Sequence, residues 1–590
     1  MRFILNVVAA FLGVLAAFFF LFLIVVGIMA AADTTPSVAN RTVLVLDLSG
    51  ALPEEQPRDP FQELFTGRVT TLRDAVEALD KAAADDRIVG VWLRPSGIAA
   101  SWATLAELRG ALDRFRESGK PLIASSGDNG FHETAYYLAT AADTVYSPPE
   151  AMFELNGIHI SVPFFGEAFE RLGIEPIVIR AGEFKAAAEN LTERGFSEEN
   201  RQQTREIVEA FDSRYRDAVA ASRPLDRAAI DGIIAEGGVY AAADAMTLGL
   251  LDALTYEHEV ENLWRPHTRQ DADVDLRTIS LRDYARVPAG EAGVQLGDRR
   301  NRVAVVYATG MIMPGEEGDF LASKRFVDTL QEAVRDDRTR AVVIRVDSPG
   351  GSATASDAMW AAVRDAAERL PVVVSMASVA ASGGYYIAAP AHAIVAEEAT
   401  ITGSIGVISV FFDATDFLQG SLGVTLDTLQ TGPAAGIFAV GEPVTELERQ
   451  LLQNLTDRVY GAFVSRVAEG RGLTADSVRA LGAGRVYTGR AAMEVGLVDE
   501  LGDLNHAIAL AASRADLEPG DYRLSIYPRP RPLLERLTRA FSTEAAVAWY
   551  VQRNMSPHER LIRRQAEVLR MAARIHGTPQ MLMLEVPEFH

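Results

Sequence analysis

The chain has 590 residues, which is too long for one ordinary core and predicts several domains. Its formal net charge of −23 argues against a nucleic-acid partner, because phosphates would be repelled. It has no cysteine, so disulfides, thiolate catalysis and zinc sites built with cysteine are excluded.

The N-terminal segment is strongly apolar. Residues 7–32 carry no charge and no strongly polar side chain, and this run of 26 residues can cross a hydrocarbon core of ~30 Å. We predict a retained transmembrane anchor over residues 1–32. A cleaved signal peptide is the alternative, with Ala30, Ala31 and Ala32 as a possible cleavage site. Arg2 is the one charge before the run, which places the N-terminus on the cytoplasmic side and the acidic bulk across the membrane.

The rest of the chain repeats itself with an offset near 250 residues. Segment 135–158 resembles 384–407, and segment 237–254 resembles 484–501. In the second copy, the short Val-rich segments 341–346 and 371–378 are typical of buried parallel strands, and 355–370 has helical periodicity between them. This order predicts right-handed βαβ units, so the fold class is α/β with a tandem duplication.

The predicted domains follow from this repeat. The first copy covers residues 40–262, a linker 263–300 and the second copy 301–527. Residues 528–590 form a basic tail with ten Arg and six Glu. The tail could contact a neighbouring subunit or lipid headgroups, or be a solvated helix.

A candidate nucleophile lies in the second copy. Ser382 precedes two glycines at the start of a predicted helix, where backbone N–H groups can flank a serine hydroxyl. The alternative is an ordinary helix N-cap. Alignment of the copies places Glu133 opposite Ser382, so the first copy keeps the neighbouring tyrosines but lacks the Ser-Gly-Gly motif. A structural cap would be expected in both copies, whereas a catalytic group is needed in one.

A candidate base lies in the first copy. Only four of the 57 basic residues are lysines, and Lys185 aligns with Ala434 or Ala435 of the second copy. Unlike arginine, lysine can lose its proton in a buried site. No G-x-S-x-G motif and no histidine next to an aspartate offers another base. The alternative is a solvated surface lysine. Because the first copy lacks the serine and the second copy lacks the lysine, the pattern favours a composite site across the two copies.

Four segments together resemble the signal peptide peptidase A family in its long, two-copy form: AASGGYYIA (380–388), DSPGGSATAS (347–356), TGSIGV (402–407) and EFKAAAE (183–189). The resemblance implies a Clp-protease/crotonase-like fold and a homotetramer tethered to the bacterial inner membrane. The catalytic domains would lie on the periplasmic side and degrade residual signal peptides, without metal or cofactor.

The resemblance also implies a role for each matching residue. Ser382 would be the nucleophile and Lys185 the general base of a serine protease, with Ser404 orienting the lysine. The oxyanion hole would comprise the N–H groups of Gly383 and of the turn at Gly350 and Gly351. Two rival functions remain at this stage: a non-catalytic membrane scaffold, and an acyl-CoA hydratase or isomerase of the same fold.

Overall fold

The computed structural model describes residues 35–56, 69–295, 297–316, 320–439, 442–529 and 580–582, with the isolated positions 13 and 318. Apart from position 13, the predicted anchor over 1–32 lies outside the described residues. Within the described ranges, no helix has both the length and the apolar character needed to cross a bilayer.

The first copy alternates strands and helices. Its strands are β1 Thr42–Ala51, β2 Ile88–Ala99, β3 Leu122–Ser125, β4 Thr144–Ser147, β5 Met152–Glu154, β6 Glu175–Ala181, β7 Val239–Ala241, β8 Ala253–Leu254 and β9 Thr278–Ser280. Its helices are α1 Leu72–Ala84, α2 Trp102–Glu117, α3 Glu133–Ala139, α4 Gly166–Leu172, α5 Glu189–Thr192, α6 Glu198–Ser222, α7 Arg227–Ala235, α8 Ala242–Thr247, α9 Glu257–Thr268 and α10 Leu281–Tyr284.

The second copy follows the same alternation. Its strands are β10 Arg302–Thr309, β11 Ile312–Met313, β12 Leu321–Ala322, β13 Thr339–Ser348, β14 Gly350–Ser352, β15 Val372–Ala381, β16 Ala393–Ala396, β17 Ile401–Gly403, β18 Val407–Asp413, β19 Val486–Thr488, β20 Glu500–Leu501 and β21 Arg523–Tyr527, followed by β22 Gln580–Leu582. Its helices are α11 Ser323–Arg335, α12 Ala353–Ala367, α13 Gly383–Ala388, α14 Glu446–Arg471, α15 Ala475–Leu481, α16 Gly489–Glu494 and α17 Leu504–Ser513, with a π-helical turn at Phe417–Ser421.

Each copy is built on its own largely parallel sheet, as predicted. The first sheet has the strand order β8-β4-β3-β2-β1-β9, and the second has β19-β17-β15-β13-β10-β21. In the second sheet β16 also pairs with β15, and β20 pairs with β16. Strands β13 and β15 pair in parallel with α12 between them in the chain, which confirms the predicted βαβ unit. The α/β fold with a duplicated domain is therefore confirmed.

Matching contacts in the two copies reflect the duplication. The Tyr136 hydroxyl donates to the Leu250 carbonyl at 2.6 Å, and the Tyr385 hydroxyl donates to the Leu497 carbonyl at 2.8 Å. All four residues belong to the segments that the sequence repeat aligns. Each buried phenol therefore has a partner at the same place in its copy, as burial of a polar group requires.

Part of the predicted linker 263–300 is integrated in the first copy. Strand β9 pairs with β1, and the buried Lys81 of α1 donates to the carbonyls of Tyr284, Ala285 and Val287 at 2.9–3.2 Å. Three carbonyl acceptors match the three donors of an ammonium group. This lysine therefore holds the end of α10 against α1.

A third sheet joins the two copies, with the order β12-β11-β14-β22-β18-β6. Strand β6 of the first copy runs antiparallel to β18 of the second, in register from Glu175 opposite Asp413 to Ala181 opposite Val407. The chain reaches Lys185 four residues after β6 ends. Strand β18 begins three residues after Ser404. The pairing therefore fixes the two candidate residues relative to each other.

A buried ionic cluster also links the copies. Arg345 of β13 donates to both carboxylate oxygens of Glu54, at 2.7 and 3.0 Å, and to Glu107 of α2 at 2.7 Å. All three side chains are at most 5% exposed. One guanidinium cannot neutralise two buried carboxylates, and burial raises the pKa of Glu107 to about 7. Burial also raises the pKa of Asp347, on the same strand, to about 7.

The cluster predicts a pH dependence of stability. A carboxyl group whose pKa is raised in the folded state stabilises it below its unfolded pKa, and this contribution is lost as pH rises through about 7. We expect the thermal midpoint of the wild type to fall between pH 5 and pH 8, and that of Glu107→Gln to fall less. Across this pH range, Glu107 changes the free energy of unfolding by on the order of 3 kcal/mol at most.

The matched control is Glu117→Gln, which removes an exposed carboxylate from the same helix. Its midpoint should follow the wild-type curve, because an exposed group loses little solvation on folding. The thermal midpoints are measured by circular dichroism across this pH range. If the wild type and Glu107→Gln showed the same dependence of the midpoint on pH, the raised pKa of Glu107 would be contradicted.

Candidate active site

Ser382 lies between the end of β15 and the start of α13, in a strained backbone conformation. Its φ and ψ are 54° and −114°, a region that residues with a side chain rarely adopt and that costs roughly 1–3 kcal/mol. Its N–H donates to the Gly403 carbonyl at 2.8 Å, and its carbonyl accepts the Tyr386 N–H at 2.8 Å. The surrounding hydrogen bonds therefore hold the strained residue in place.

The Ser382 side chain does not cap α13, so the helix-cap alternative is excluded. Its hydroxyl instead lies 2.8 Å from the Lys185 amine, and the residue is fully buried. Gly384 lets the helix start approach the end of β13, because a Cβ atom there would lie 2.6 Å from the Ser348 carbonyl oxygen. This close contact sets Ser382 beside the turn at Gly350.

Lys185 reaches the serine from the other copy. Its Nζ atom lies 2.8 Å from Ser382 Oγ, 2.9 Å from the Ser404 carbonyl oxygen and 2.9 Å from Ser404 Oγ. Only 2% of the residue is exposed, so the alternative of a solvated lysine is wrong. The structure thus brings together Ser382, Lys185 and Ser404, which the sequence places in two different copies.

Burial lowers the pKa of Lys185 well below its ordinary value of 10.5. The nearby Glu189 would oppose this effect if it approached the amine. Its carboxylate instead accepts hydrogen bonds from Ser197 Oγ at 2.7 Å and Asn200 Nδ2 at 3.1 Å. The lysine is therefore buried without a carboxylate hydrogen bond among the described residues.

The uncharged form, which burial favours, can make all three contacts of the amine. A neutral amine has two N–H donors and one lone pair. The Ser404 carbonyl can only accept, so it takes one N–H, and Ser404 Oγ can take the second. The lone pair then faces the Ser382 hydroxyl, which has a proton to give. A lysine in this state can act as a base towards that proton.

Ser404 is itself held rigidly. Its φ is 52°, and its N–H donates to the Arg485 carbonyl at 2.7 Å. Gly484, one residue earlier, has a φ of +84° and packs against Lys185: a Cβ atom there would lie 2.5–2.6 Å from the lysine N, Cα and Cβ atoms. Segment 484–485 therefore supports both the lysine and its partner.

The turn after β13 supplies backbone N–H groups near the serine. Gly350 N–H donates to Ser348 Oγ at 3.1 Å, and Ser348 Oγ donates to the Gly310 carbonyl at 2.7 Å. Gly351 pairs with Ile312. For Gly383 N–H, no acceptor is found within the described part of the chain. Among these groups, Gly383 N–H is the one available to an incoming oxygen atom.

A small cavity adjoins Ser404. Its volume is about 50 Å³. Both copies line it. The apolar lining includes Phe184, Ala186, Ala187, Ile401 and Val486, and the polar lining includes Asn200, Gln203 and Thr204. No cluster of three or more His, Asp or Glu side chains suited to a metal ion occurs in the described ranges.

Sequence reasoning missed two supports of this site. The contact of Gly484 with Lys185 was not foreseen, although the repeat aligns the segments beginning at 237 and 484. A repeat reveals shared positions but not which long-range partner each one meets. The Arg345 cluster was also missed, because its three members come from distant segments without a shared motif.

Comparisons with known proteins agree with the geometry. The sequence profile described as Peptidase family S49 matches residues 114–269 and 364–518. The chain is 31% identical over 501 residues to "Serine protease SPPA, chloroplastic" of Arabidopsis thaliana, covering 84% of this chain and 72% of that protein. It is 32% identical over 532 residues to "Protease 4" of Salmonella typhi, covering 85% and 83%. With "Protease 4" of Haemophilus influenzae the identity is 29% over 534 residues, covering 86% and 83%.

The electrostatics of Lys185 can be measured directly, because the chain has only four lysines. In NMR spectra of protein labelled with 13C-lysine, we expect the side-chain signal that is absent from Lys185→Arg to titrate well below pH 10.5. The variant is needed for the assignment, because burial also lowers the pKa of Lys81 and Lys120. Lys324 is the internal control, since its hydrogen bond to Glu316 raises its pKa. A Lys185 midpoint at or above 10.5 would contradict the buried, neutral amine.

Proposed function

Because the chain belongs to peptidase family S49 and is a serine protease, we propose that it cleaves peptide bonds with a Ser–Lys dyad, Ser382 being the nucleophile and Lys185 the general base. The observation that carries the proposal is the 2.8 Å contact between Ser382 Oγ and a buried lysine amine. Ser404 would orient the lysine through its two contacts of 2.9 Å with the amine.

The proposed reaction is an acyl transfer. Neutral Lys185 takes the proton of the Ser382 hydroxyl while Oγ attacks the carbonyl carbon of the scissile bond. The protonated lysine then gives this proton to the nitrogen of the leaving amine. Water, deprotonated by the same lysine, hydrolyses the acyl-enzyme and restores the serine. Burial favours a neutral lysine at the start of each cycle.

The oxyanion of the tetrahedral intermediate would be stabilised by backbone N–H groups. Gly383 N–H is the better supported donor, since it has no acceptor among the described residues. The second donor would come from the turn at Gly350 and Gly351. Gly350 N–H already contacts Ser348 Oγ, so it would share its proton or exchange partners when the oxyanion forms.

The proposed substrates are residual signal peptides, bound as extended chains with small or apolar side chains. The small cavity beside Ser404, of about 50 Å³, supports this choice. Its lining by Phe184, Ile401 and Val486 favours apolar groups.

The cellular setting belongs to the same proposal. We propose that residues 1–32 anchor the protein in the bacterial inner membrane, with Clp-protease/crotonase-like catalytic domains on the periplasmic side. Assembly as a homotetramer is supported by eight exposed apolar side chains, those of Leu422, Val424, Leu426, Leu429, Phe438, Leu447, Leu451 and Leu455. Contact with a partner subunit would remove such side chains from water.

The dyad is tested by peptide hydrolysis with the full-length chain. We expect Ser382→Ala to lower kcat/KM at least about a thousandfold. Lys185→Arg should lower it at least about a hundredfold, because arginine keeps the charge but cannot serve as a base. Circular dichroism should show that both variants are folded. Near-normal activity of Lys185→Arg would show that the lysine is not the general base, and full activity of Ser382→Ala would show that Ser382 is not the nucleophile.

The support from Gly484 is tested by Gly484→Ala. Its added methyl group would displace the Lys185 backbone, and a misplacement near 1 Å can lower kcat/KM about a hundredfold. The matched control is Gly496→Ala. Its φ is +80°, close to the +84° of Gly484, but no atom lies within 4 Å of the added Cβ. Both variants should lose stability through backbone strain, of roughly 1–2 kcal/mol. Only Gly484→Ala should lose activity. Equal activity of the two folded variants would contradict the view that Gly484 positions Lys185.

A further inference from the structure

The strand that leads to the candidate nucleophile is interrupted by a bulge. Pairing of β15 with β13 is regular up to Met376 and resumes at Ala380. Between these positions β15 has three residues, 377–379, opposite a single residue of β13, Asp347. The bulge ends three residues before Ser382. Bulges next to active sites commonly redirect a side chain, so we asked what holds this one in place.

Asp347 supplies a hydrogen-bond acceptor inside the bulge. The Val379 N–H donates to Asp347 Oδ1 at 3.0 Å, and close by the Ala377 carbonyl accepts the Thr400 hydroxyl at 2.7 Å. A carboxyl group keeps an acceptor oxygen whether it is ionised or protonated, so this contact holds on both sides of the raised pKa of Asp347. Side chains therefore provide partners for the backbone where the regular strand pairing is interrupted.

The bulge also contacts the first copy. Ser101 Oγ, at the N-terminus of α2, donates to Ser378 Oγ at 2.7 Å. The side chain of Val379 is 4% exposed and packs in the hydrophobic core of the first copy. The backbone contact with Asp347 thus holds a segment that both copies share.

The two copies differ at the position of Asp347. Ser101 and Ser352 are the N-caps of the corresponding helices α2 and α12. Five residues before each cap stand Ser96 in the first copy and Asp347 in the second. A serine hydroxyl is one bond shorter than a carboxyl group and cannot make the same contact. The copy without the candidate nucleophile therefore also lacks this acceptor, as expected if the acceptor serves the nucleophile.

Both strands that Asp347 connects lead into the candidate active site. Gly350 lies three residues beyond Asp347 on one strand, and Ser382 lies three residues beyond Val379 on the other. The contact between the Val379 N–H and Asp347 therefore fixes the segment before the nucleophile against the segment before the glycine turn. A small shift of either segment would change the 2.8 Å distance between Ser382 Oγ and the Lys185 amine.

We propose that Asp347 is a positioning residue for Ser382, acting through the Val379 N–H and the bulge at 377–379. This inference rests on the proposed function of the site. Asp347 touches none of the reacting atoms in this role. It keeps the serine hydroxyl at the place from which its proton reaches Lys185, so its loss slows the chemical step and leaves substrate binding largely unchanged.

The test replaces Asp347 in the full-length chain and measures peptide hydrolysis. Asp347→Ser introduces the residue that the first copy has and removes the acceptor. We expect kcat to fall at least about tenfold and KM to stay within about twofold, because a displaced nucleophile affects the transition state more than the bound substrate. Asp347→Asn keeps an acceptor oxygen on a side chain of the same shape, so its kcat should recover to within about threefold of the wild type.

The matched control is Asp143→Ser. Asp143 Oδ2 accepts the Leu122 N–H at 2.8 Å at the start of β3, so this variant also removes a side-chain acceptor from a strand, but in the first copy. Its kcat should equal that of the wild type. The proposal would be overturned by wild-type kcat in Asp347→Ser, by the same loss of kcat in Asp347→Asn or in the control, or by a change confined to KM.

Amide hydrogen exchange tests the contact without catalysis. In the Ser382→Ala form of the full chain, segment 377–381 should exchange slowly, and the addition of Asp347→Ser should accelerate its exchange at least about tenfold. Fast exchange with Asp347 intact, or unchanged exchange after Asp347→Ser, would overturn this inference alone. Loss of the proposed function would instead appear as peptide hydrolysis that survives Ser382→Ala.

Discussion

The antiparallel pairing of β6 with β18 is the constraint on which the active site depends. It joins a strand of the first copy to a strand of the second over seven consecutive positions, from Glu175 to Ala181. A lysine amine and a serine hydroxyl must lie within hydrogen-bonding distance before a proton can move between them. Two domains joined only by a flexible linker could not hold that distance. The shared sheet holds it because backbone hydrogen bonds fix both the register and the direction of the two strands.

Two unfavourable features are concentrated at this junction. Ser382 has a strained backbone, and Lys185 has an amine removed from water with no carboxylate partner in the described part of the chain. Each costs folding free energy, and each gives the site a property that it needs: a hydroxyl held against the lysine amine and an uncharged base. The surroundings offset the costs locally. Gly403 and Tyr386 hydrogen-bond the serine backbone, and Ser404 accepts both N–H groups of the amine. Both the strain and the desolvation are therefore confined to a few residues.

Much of this arrangement could be predicted from the sequence, for a physical reason. Val-rich strands, helical periodicity and the internal repeat are local or periodic signals, so they indicated the α/β fold and its duplication. The complementary loss of serine and lysine indicated that Ser382 and Lys185 share a site. Long-range pairing has no such signal. The sequence did not indicate that β22 pairs with β14, that Arg345 meets Glu54 and Glu107, or that residues 278–284 pack on the first copy. These contacts depend on which distant segments fit together in three dimensions.

The duplication also explains why one copy could lose its serine without losing its fold. The buried Tyr136 keeps the hydrogen bond that Tyr385 makes in the second copy, so the scaffold around the missing nucleophile is intact. Glu133, at the start of the corresponding helix, is buried and accepts the Asn156 N–H at 3.0 Å. The position of the proposed nucleophile in one copy is thus occupied in the other by a side chain that serves packing and hydrogen bonding. Because the proposed nucleophile and base come from different copies, neither copy alone would have a complete dyad. The contact between Ser382 and Lys185 requires both copies to be folded and joined through β6 and β18, so the proposed mechanism makes hydrolysis conditional on the assembled structure.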